Sequence, residues 1–189
     1  LEFLQLTIPT LLTLARILMI PVLVVVFYLP FGWSNIAAVT LFILAGLTDW
    51  LDGWVARRFK MTSSFGAFLD PVADKLMVAV ALIVILQRNP EIGLALSSAV
   101  IIGREITISA LREWMAGLGE SGRVKVAWTG KIKTILQMVA IGFLLYGQDL
   151  GPLPVLEIGR WLLIFAAALT IVSMFSYLRA AWPAIRAPR

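Results

Sequence analysis

Cysteine and histidine are both absent from the 189 residues. Without cysteine there is no disulfide framework and no thiolate metal site. Without histidine the chain lacks the commonest general base and the commonest zinc ligand. Any acid–base or metal chemistry therefore falls to Asp, Glu, Lys, Arg or Tyr. Charge is scarce too: Asp, Glu, Lys and Arg make up 14% of the chain, against roughly 25% in a soluble domain. What is abundant is apolar, with 60% of residues hydrophobic, so much of the surface faces something other than water. The net charge of +5 reads as the cytoplasmic bias of Lys and Arg in a membrane protein, and nucleic acid is not expected as a partner.

Apolar runs long enough to cross a bilayer recur along the whole sequence. They predict an all-α integral membrane fold of six transmembrane helices, roughly Leu11–Leu29, Trp33–Trp50, Phe65–Leu86, Ile92–Ala110, Val126–Tyr146 and Gly159–Leu178. Breaks fall at Pro30, at Asn89-Pro90 and between Gly151 and Pro154. With no internal repeat and no low-complexity linker, residues 1–189 read as a single membrane domain, and the residues before Ile8-Pro9 as an interfacial segment. The expected arrangement is six helices around a polar cavity open to the cytoplasmic side. With the N-terminus inside, the cytoplasmic face receives Arg57, Arg58, Lys60, Arg112, Arg123, Lys125, Arg179, Arg186 and Arg189. The outer face receives only Arg88 and Arg160. That asymmetry places both termini in the cytoplasm.

Counting inward from the outer helix ends at 1.5 Å per residue, Asp49 lies about 20 Å and Asp52 about 24 Å deep. On the antiparallel third helix, Asp74 lies about 18 Å and Asp70 about 24 Å deep. Arg16, Arg104 and Lys131 fall at about 20, 18 and 23 Å. The hydrocarbon core is about 30 Å thick, so one layer near the cytoplasmic surface collects ionisable groups from five helices.

Asp49 and Asp52 are spaced i, i+3, and Asp70 and Asp74 i, i+4, so each pair shares a helical face. Carboxylates converging near a membrane cannot all ionise without a cation. Oxygen ligands without His or Cys select Mg²⁺, Mn²⁺ or Ca²⁺. Four aspartates suffice for two ions, an arrangement suited to phosphoryl transfer. The structural alternative is that one pair merely neutralises Arg57 or Lys75. Gly53, Ala56 and Gly66 beside the acids either admit a base or phosphate to the backbone or serve close helix packing. Arg57 is a diphosphate ligand or a cytoplasmic anchor. Lys75 orients Asp74 or snorkels.

These residues compose a pattern. Asp49-Trp-Leu-Asp52-Gly53-Trp-Val-Ala56-Arg57, followed after eight residues by Gly66, Asp70 and Asp74, resembles the signature of the CDP-alcohol phosphotransferase family at every fixed position. The segment Ile8-Pro9-Thr10-Leu-Leu-Thr13-Leu-Ala-Arg16 is similar to the P-N-x-L-T-x2-R opening of the phosphatidylglycerophosphate synthase branch, with Thr10 where Asn is commoner. Arg104-Glu105-Ile, Leu111-Arg112-Glu113 and Gly130-Lys131-Ile-Lys133-Thr134 with Gln137 look like the same branch. The resemblance implies a bacterial inner-membrane enzyme with two divalent ions, Mg²⁺ or Mn²⁺, on Asp49, Asp52, Asp70 and Asp74. It implies Asp74 as general base and CDP-diacylglycerol as donor, held by Thr10, Arg16, Asp49, Asp52, Gly53, Ala56, Arg57 and Gly66.

For the acceptor, the residues add their own argument. Arg104 is deep in an apolar helix, with Lys131 at nearly the same depth, Lys133 beside it and Arg112 at the surface end. Glu105 can neutralise Arg104, yet cations outnumber acids on these two helices, which suggests a phosphorylated acceptor. The resemblance makes it glycerol 3-phosphate, bound by Arg104, Arg112, Lys131 and Lys133. An inositol phosphate or a second phosphatidylglycerol-type lipid is the nearest alternative acceptor. A divalent-cation transporter is the alternative of another class. It would need acidic waypoints in the outer half, where Glu91, Asp149 and Glu157 stand only at the rim. The sixth helix carries no buried charge and reads as scaffold or as the surface of a homodimer.

Overall fold

The computed structural model describes residues 7–59, 63–117 and 128–186. Six helices account for nearly all of them: α1 (Ile8–Tyr28), α2 (Ser34–Phe59), α3 (Ser64–Arg88), α4 (Ile92–Gly117), α5 (Trp128–Tyr146) and α6 (Val155–Arg186). The number and order match the sequence expectation, but several helices run well past the apolar stretches. α2 continues nine residues beyond Trp50, α4 seven beyond Ala110, and α6 eight beyond Leu178. Apolar length measures the bilayer, whereas a helix ends only where its hydrogen-bond ladder does, and it can continue into water. The segment Arg57–Phe59 is therefore helical rather than part of a loop. The expected interfacial segment before Thr7 lies outside the described residues, as do Lys60, Arg123, Lys125 and Arg189.

The helices carry bulky apolar side chains on their outsides. Leu18, Trp50, Ile92 and Val172 are between 63% and 80% exposed. Such a surface is stable in hydrocarbon and not in water. Four helical stretches are long and apolar enough to span a bilayer, namely Ile8–Tyr28, Ser34–Ala56, Ile92–Gly117 and Val155–Arg179. α3 is as long as these but is interrupted by Asp70, Asp74 and Lys75. The apolar part of α5 is Ile132–Tyr146.

The chain folds as two compact units. In the first, α1 packs against both α2 and α3. Its buried face is Pro9, Thr10, Thr13, Arg16, Ile20, Leu23 and Phe27. Steps of three and four residues align them in one stripe, polar in the first half and apolar in the second. Thr7 caps the helix and Pro9 sits in its first turn, where a missing N–H costs nothing. At the other end Arg88 ties the three helices together. It donates to Asn35 Oδ1 at 2.9 Å and to the Phe27 carbonyl at 3.2 Å, and stacks 3.8 Å over the Phe27 ring.

In the second unit α4 packs on α6. Ile108, Met115 and Tyr177 form a buried cluster, with Leu111 and Met174 against it. Arg160 pairs with Glu91 at 2.5 Å, joining the starts of the two helices. Close packing brings α6 to α5 at Gly159, where a Cβ would meet Phe143 Cβ at 3.0 Å. The turn before α6 uses Gly151 at φ +59°, a left-handed conformation that glycine adopts without strain. Leu150 and Leu153 exchange two 3.1 Å hydrogen bonds across it.

Candidate functional site

The polar half of the α1 stripe meets the carboxylates of α2 and α3. Arg16 is 1% exposed and its guanidinium forks between the α2 pair. Nη1 donates to Asp49 Oδ1 at 2.7 Å and Nη2 donates to Asp52 Oδ2. Asp49 and Asp52 can share one guanidinium because i, i+3 spacing stacks them on one face. Asp52 is buried, whereas the Asp49 side chain is 46% exposed. One turn nearer the N-terminus, Thr13 Oγ1 contacts the Pro9 carbonyl at 3.1 Å and donates to Asp70 Oδ1. Asp74 stands one turn further along α3, exposed. Four of the expected residues, Arg16, Asp49, Asp52 and Asp70, thus gather along the buried face of α1 in two sets, Arg16 with Asp49 and Asp52, and Asp70 with Thr13.

Thr10 lies on the same buried face of α1. Its hydroxyl lies 2.9 Å from Thr7 Oγ1 and 2.8 Å from Ser63 Oγ, and Ser63 accepts the Gly66 N–H at 2.9 Å. A Cβ on Gly66 would fall 2.9 Å from Thr10 Oγ1 and 3.0 Å from Ser63 Oγ. The close approach that Gly66 permits is therefore to the α1 threonine. Gly53 and Ala56 are half-buried on α2. Arg57 is helical, but its side chain lies outside the described residues. Lys75 Nζ donates to the Pro71 carbonyl at 3.0 Å.

The second unit gathers the basic residues. Lys133 is 1% exposed and Arg104 9%. Both donate to the same Glu105 Oε1, each at 2.8 Å. The pairing of Glu105 with Arg104, one of the two sequence readings, is present, but the carboxylate is shared with Lys133, so that among the described residues two buried cations meet one acid. Arg112 reaches across to α6, donating to Tyr177 Oη at 3.0 Å. The Tyr177 ring lies 5.4 Å from Arg104 and 5.3 Å from Arg112. Lys131 is on α5, with its side chain outside the described residues.

Sequence reasoning assigned no role to three of these side chains, although Thr13 stands in the quoted opening segment. Thr13 sits midway between Thr10 and Arg16 at i, i+3 steps, and that spacing was a usable signal. Ser63 immediately precedes α3, where serine is a common cap. Tyr177 gave no signal, because a lone tyrosine in an apolar helix is usually interfacial. α6, read as scaffold, contributes it to the basic cluster.

Among the described residues no three acidic side chains form a ready-made metal cage. The donor chemistry nonetheless suits a hard cation. The α2 carboxylates already close around a positive group, the Arg16 guanidinium, and α3 adds further oxygens without nitrogen or sulfur.

The family model for CDP-alcohol phosphatidyltransferase matches residues 6–172. Three bacterial relatives carry the name CDP-diacylglycerol–glycerol-3-phosphate 3-phosphatidyltransferase. The one from Yersinia pestis (strain Pestoides F) is 48% identical, covering 97% of this chain and all of its own. Those from Salmonella choleraesuis (strain SC-B67) and Sodalis glossinidius (strain morsitans) are 50% and 52% identical, each over 94% of this chain and 96% of theirs. With the match spanning both the carboxylate layer and the basic cluster, this chain belongs to the CDP-alcohol phosphatidyltransferase family.

Proposed function

We propose that the protein moves the phosphatidyl group of CDP-diacylglycerol onto glycerol 3-phosphate, giving phosphatidylglycerophosphate and CMP. The names of its relatives support the donor and the acceptor. The observation that carries the acceptor reading is the shared carboxylate: among the described residues Arg104 and Lys133 are buried against one acid, Glu105. Surplus positive charge in a membrane unit is costly unless an anion joins it, and a phosphate on the acceptor is such an anion. Serine or choline acceptors would not need it.

In this reading Asp49, Asp52, Asp70 and Asp74 hold two divalent ions, Mg²⁺ or Mn²⁺, which when bound supply charge neutralisation for the donor diphosphate. Thr10, Arg16, Gly53, Ala56, Arg57 and Gly66 line the donor's place, while Arg104, Arg112, Lys131 and Lys133 hold the acceptor's phosphate. Asp74 accepts the proton of the acceptor hydroxyl. That oxygen bonds to the phosphorus bearing diacylglycerol, and the bond from that phosphorus to the CMP oxygen breaks, its electron pair leaving with CMP. The enzyme works in a bacterial inner membrane, with both termini and the site cytoplasmic, as a homodimer in a single 1–189 domain.

The test is CMP release by the purified protein with CDP-diacylglycerol and an acceptor panel. Glycerol 3-phosphate is expected to support turnover, inositol phosphate and serine not. Excess EDTA is expected to abolish activity, and Mg²⁺ or Mn²⁺ to restore it. Turnover in EDTA overturns the metal assignment, and preference for another acceptor overturns the substrate.

A further inference from the structure

Gln137 is the last polar group on the buried face of α5. That face runs from Lys133 through Gln137 to Ala140, Ile141 and Leu144, and past Gln137 it is wholly apolar. Gln137 is 4% exposed, and its Oε1 has no hydrogen-bond partner among the described residues. A buried amide oxygen left without a donor is unfavourable, and such groups in folded proteins are normally satisfied. Gln137 stands one turn from Lys133, with about 5–6 Å between their Cβ atoms at i, i+4 spacing. Arg104, which meets Lys133 at Glu105, has its buried Nε without a partner among the described residues. The cluster thus offers positive charge at one end and an unsatisfied oxygen at the other.

An ionised phosphate cannot satisfy that oxygen, because it offers acceptors only. A donor is required, and a hydroxyl a carbon or two from a phosphate fits the one-turn separation. We infer that Gln137 is a specificity-determining residue whose Oε1 accepts the O–H of the acceptor's secondary hydroxyl. This rests on glycerol 3-phosphate being the acceptor. One of its two hydroxyls gives up its proton to reaction, and the other is left for recognition. Gln137 thereby separates a phosphorylated triol from an otherwise identical phosphorylated diol.

The test compares glycerol 3-phosphate with 3-hydroxypropyl phosphate, which keeps the terminal hydroxyl and the phosphate and lacks the hydroxyl between them. CMP release is followed with the full-length protein in lipid nanodiscs, for wild type, Gln137→Leu, Gln137→Met and Gln137→Glu. Wild type is expected to prefer glycerol 3-phosphate in kcat/KM on the order of 10- to 100-fold. Leu and Met are expected to lower kcat/KM for glycerol 3-phosphate to the level of the diol, leave the diol unchanged and bring the ratio near one. Glu, which keeps an accepting oxygen, is expected to keep the preference. An unchanged KM for CDP-diacylglycerol shows that the variants are folded. If Leu and Met depress both acceptors equally and the ratio survives, Gln137 is a packing residue and the inference fails. Absence of any wild-type preference overturns it too. No turnover of glycerol 3-phosphate by wild type would instead overturn the proposed function itself.

Discussion

Arg16 and Asp74 show how differently two charged side chains of one site are held. Arg16 is fully buried, with its two terminal nitrogens on two carboxylates. Such a fork fixes geometry more than it adds stability, since desolvating the charges offsets much of their attraction. It holds Asp49 and Asp52 to one guanidinium. Asp74 is exposed, as the proposed proton acceptor must be to reach a substrate. Asp74→Asn is nearly isosteric and keeps an oxygen for a cation, but it cannot take a proton. Turnover is expected to fall by roughly 10²- to 10⁴-fold, with binding of CDP-diacylglycerol largely retained. Asp52→Ala is expected to lose donor binding and turnover together. The paired measurement is donor affinity and kcat for each variant. Equal loss of donor binding in both would remove Asp74 from the role of base.

At the scale of elements, the contact of α1 with α3 depends on one missing methyl group. Thr10 approaches α3 where Gly66 has no side chain, and Ser63 completes the contact by capping α3 and meeting the Thr10 hydroxyl. Gly66→Ala would place a carbon 2.9 Å from Thr10 Oγ1. Forcing the helices apart is expected to cost about 1–3 kcal/mol, seen as a lower thermal midpoint in detergent, and to shift Asp70 away from Thr13. Thr10→Ala, which removes the obstructing hydroxyl, is expected to recover part of that loss in the double variant. Strictly additive effects of the two substitutions would mean that Gly66 and Thr10 are not coupled.

For the whole molecule the governing fact is the solvent. Exposed Leu18, Trp50, Ile92 and Val172 require lipid, and the excess of Lys and Arg on the expected cytoplasmic side is the basis for the proposed orientation. The two basic residues expected on the other side are held locally, Arg88 by Asn35 and Phe27, Arg160 by Glu91. Because the chain has no native cysteine, single cysteines report topology without background. Phe31 and Gln148 are exposed beside helix ends expected on the outer side, and Arg58 is exposed near the end of α2. Cysteines at positions 31 and 148 are expected to react with an impermeant maleimide in intact cells, and one at 58 only after lysis. The reverse pattern would put the carboxylate layer on the face that CDP-linked donors do not reach.

The sequence by itself determined the solvent, the six helices and the pairing of the acids on helix faces, because these are one-dimensional properties. Apolar length measures a bilayer, and i, i+3 or i, i+4 spacing puts Asp49 with Asp52 and Asp70 with Asp74 on shared faces. It also carried the family signature, which is a matter of spacing. Helix ends were less legible, since α2, α4 and α6 outrun the bilayer on hydrogen bonds that hydropathy does not register. Partner choice was legible only between chain neighbours, as for Arg104 and Glu105. That Arg16 lies between Asp49 and Asp52, that Thr13 holds Asp70, that Glu105 is shared with Lys133, and that Tyr177 answers Arg112 are contacts between helices. Each depends on how the helices are rotated and set against one another, and only tertiary packing decides that.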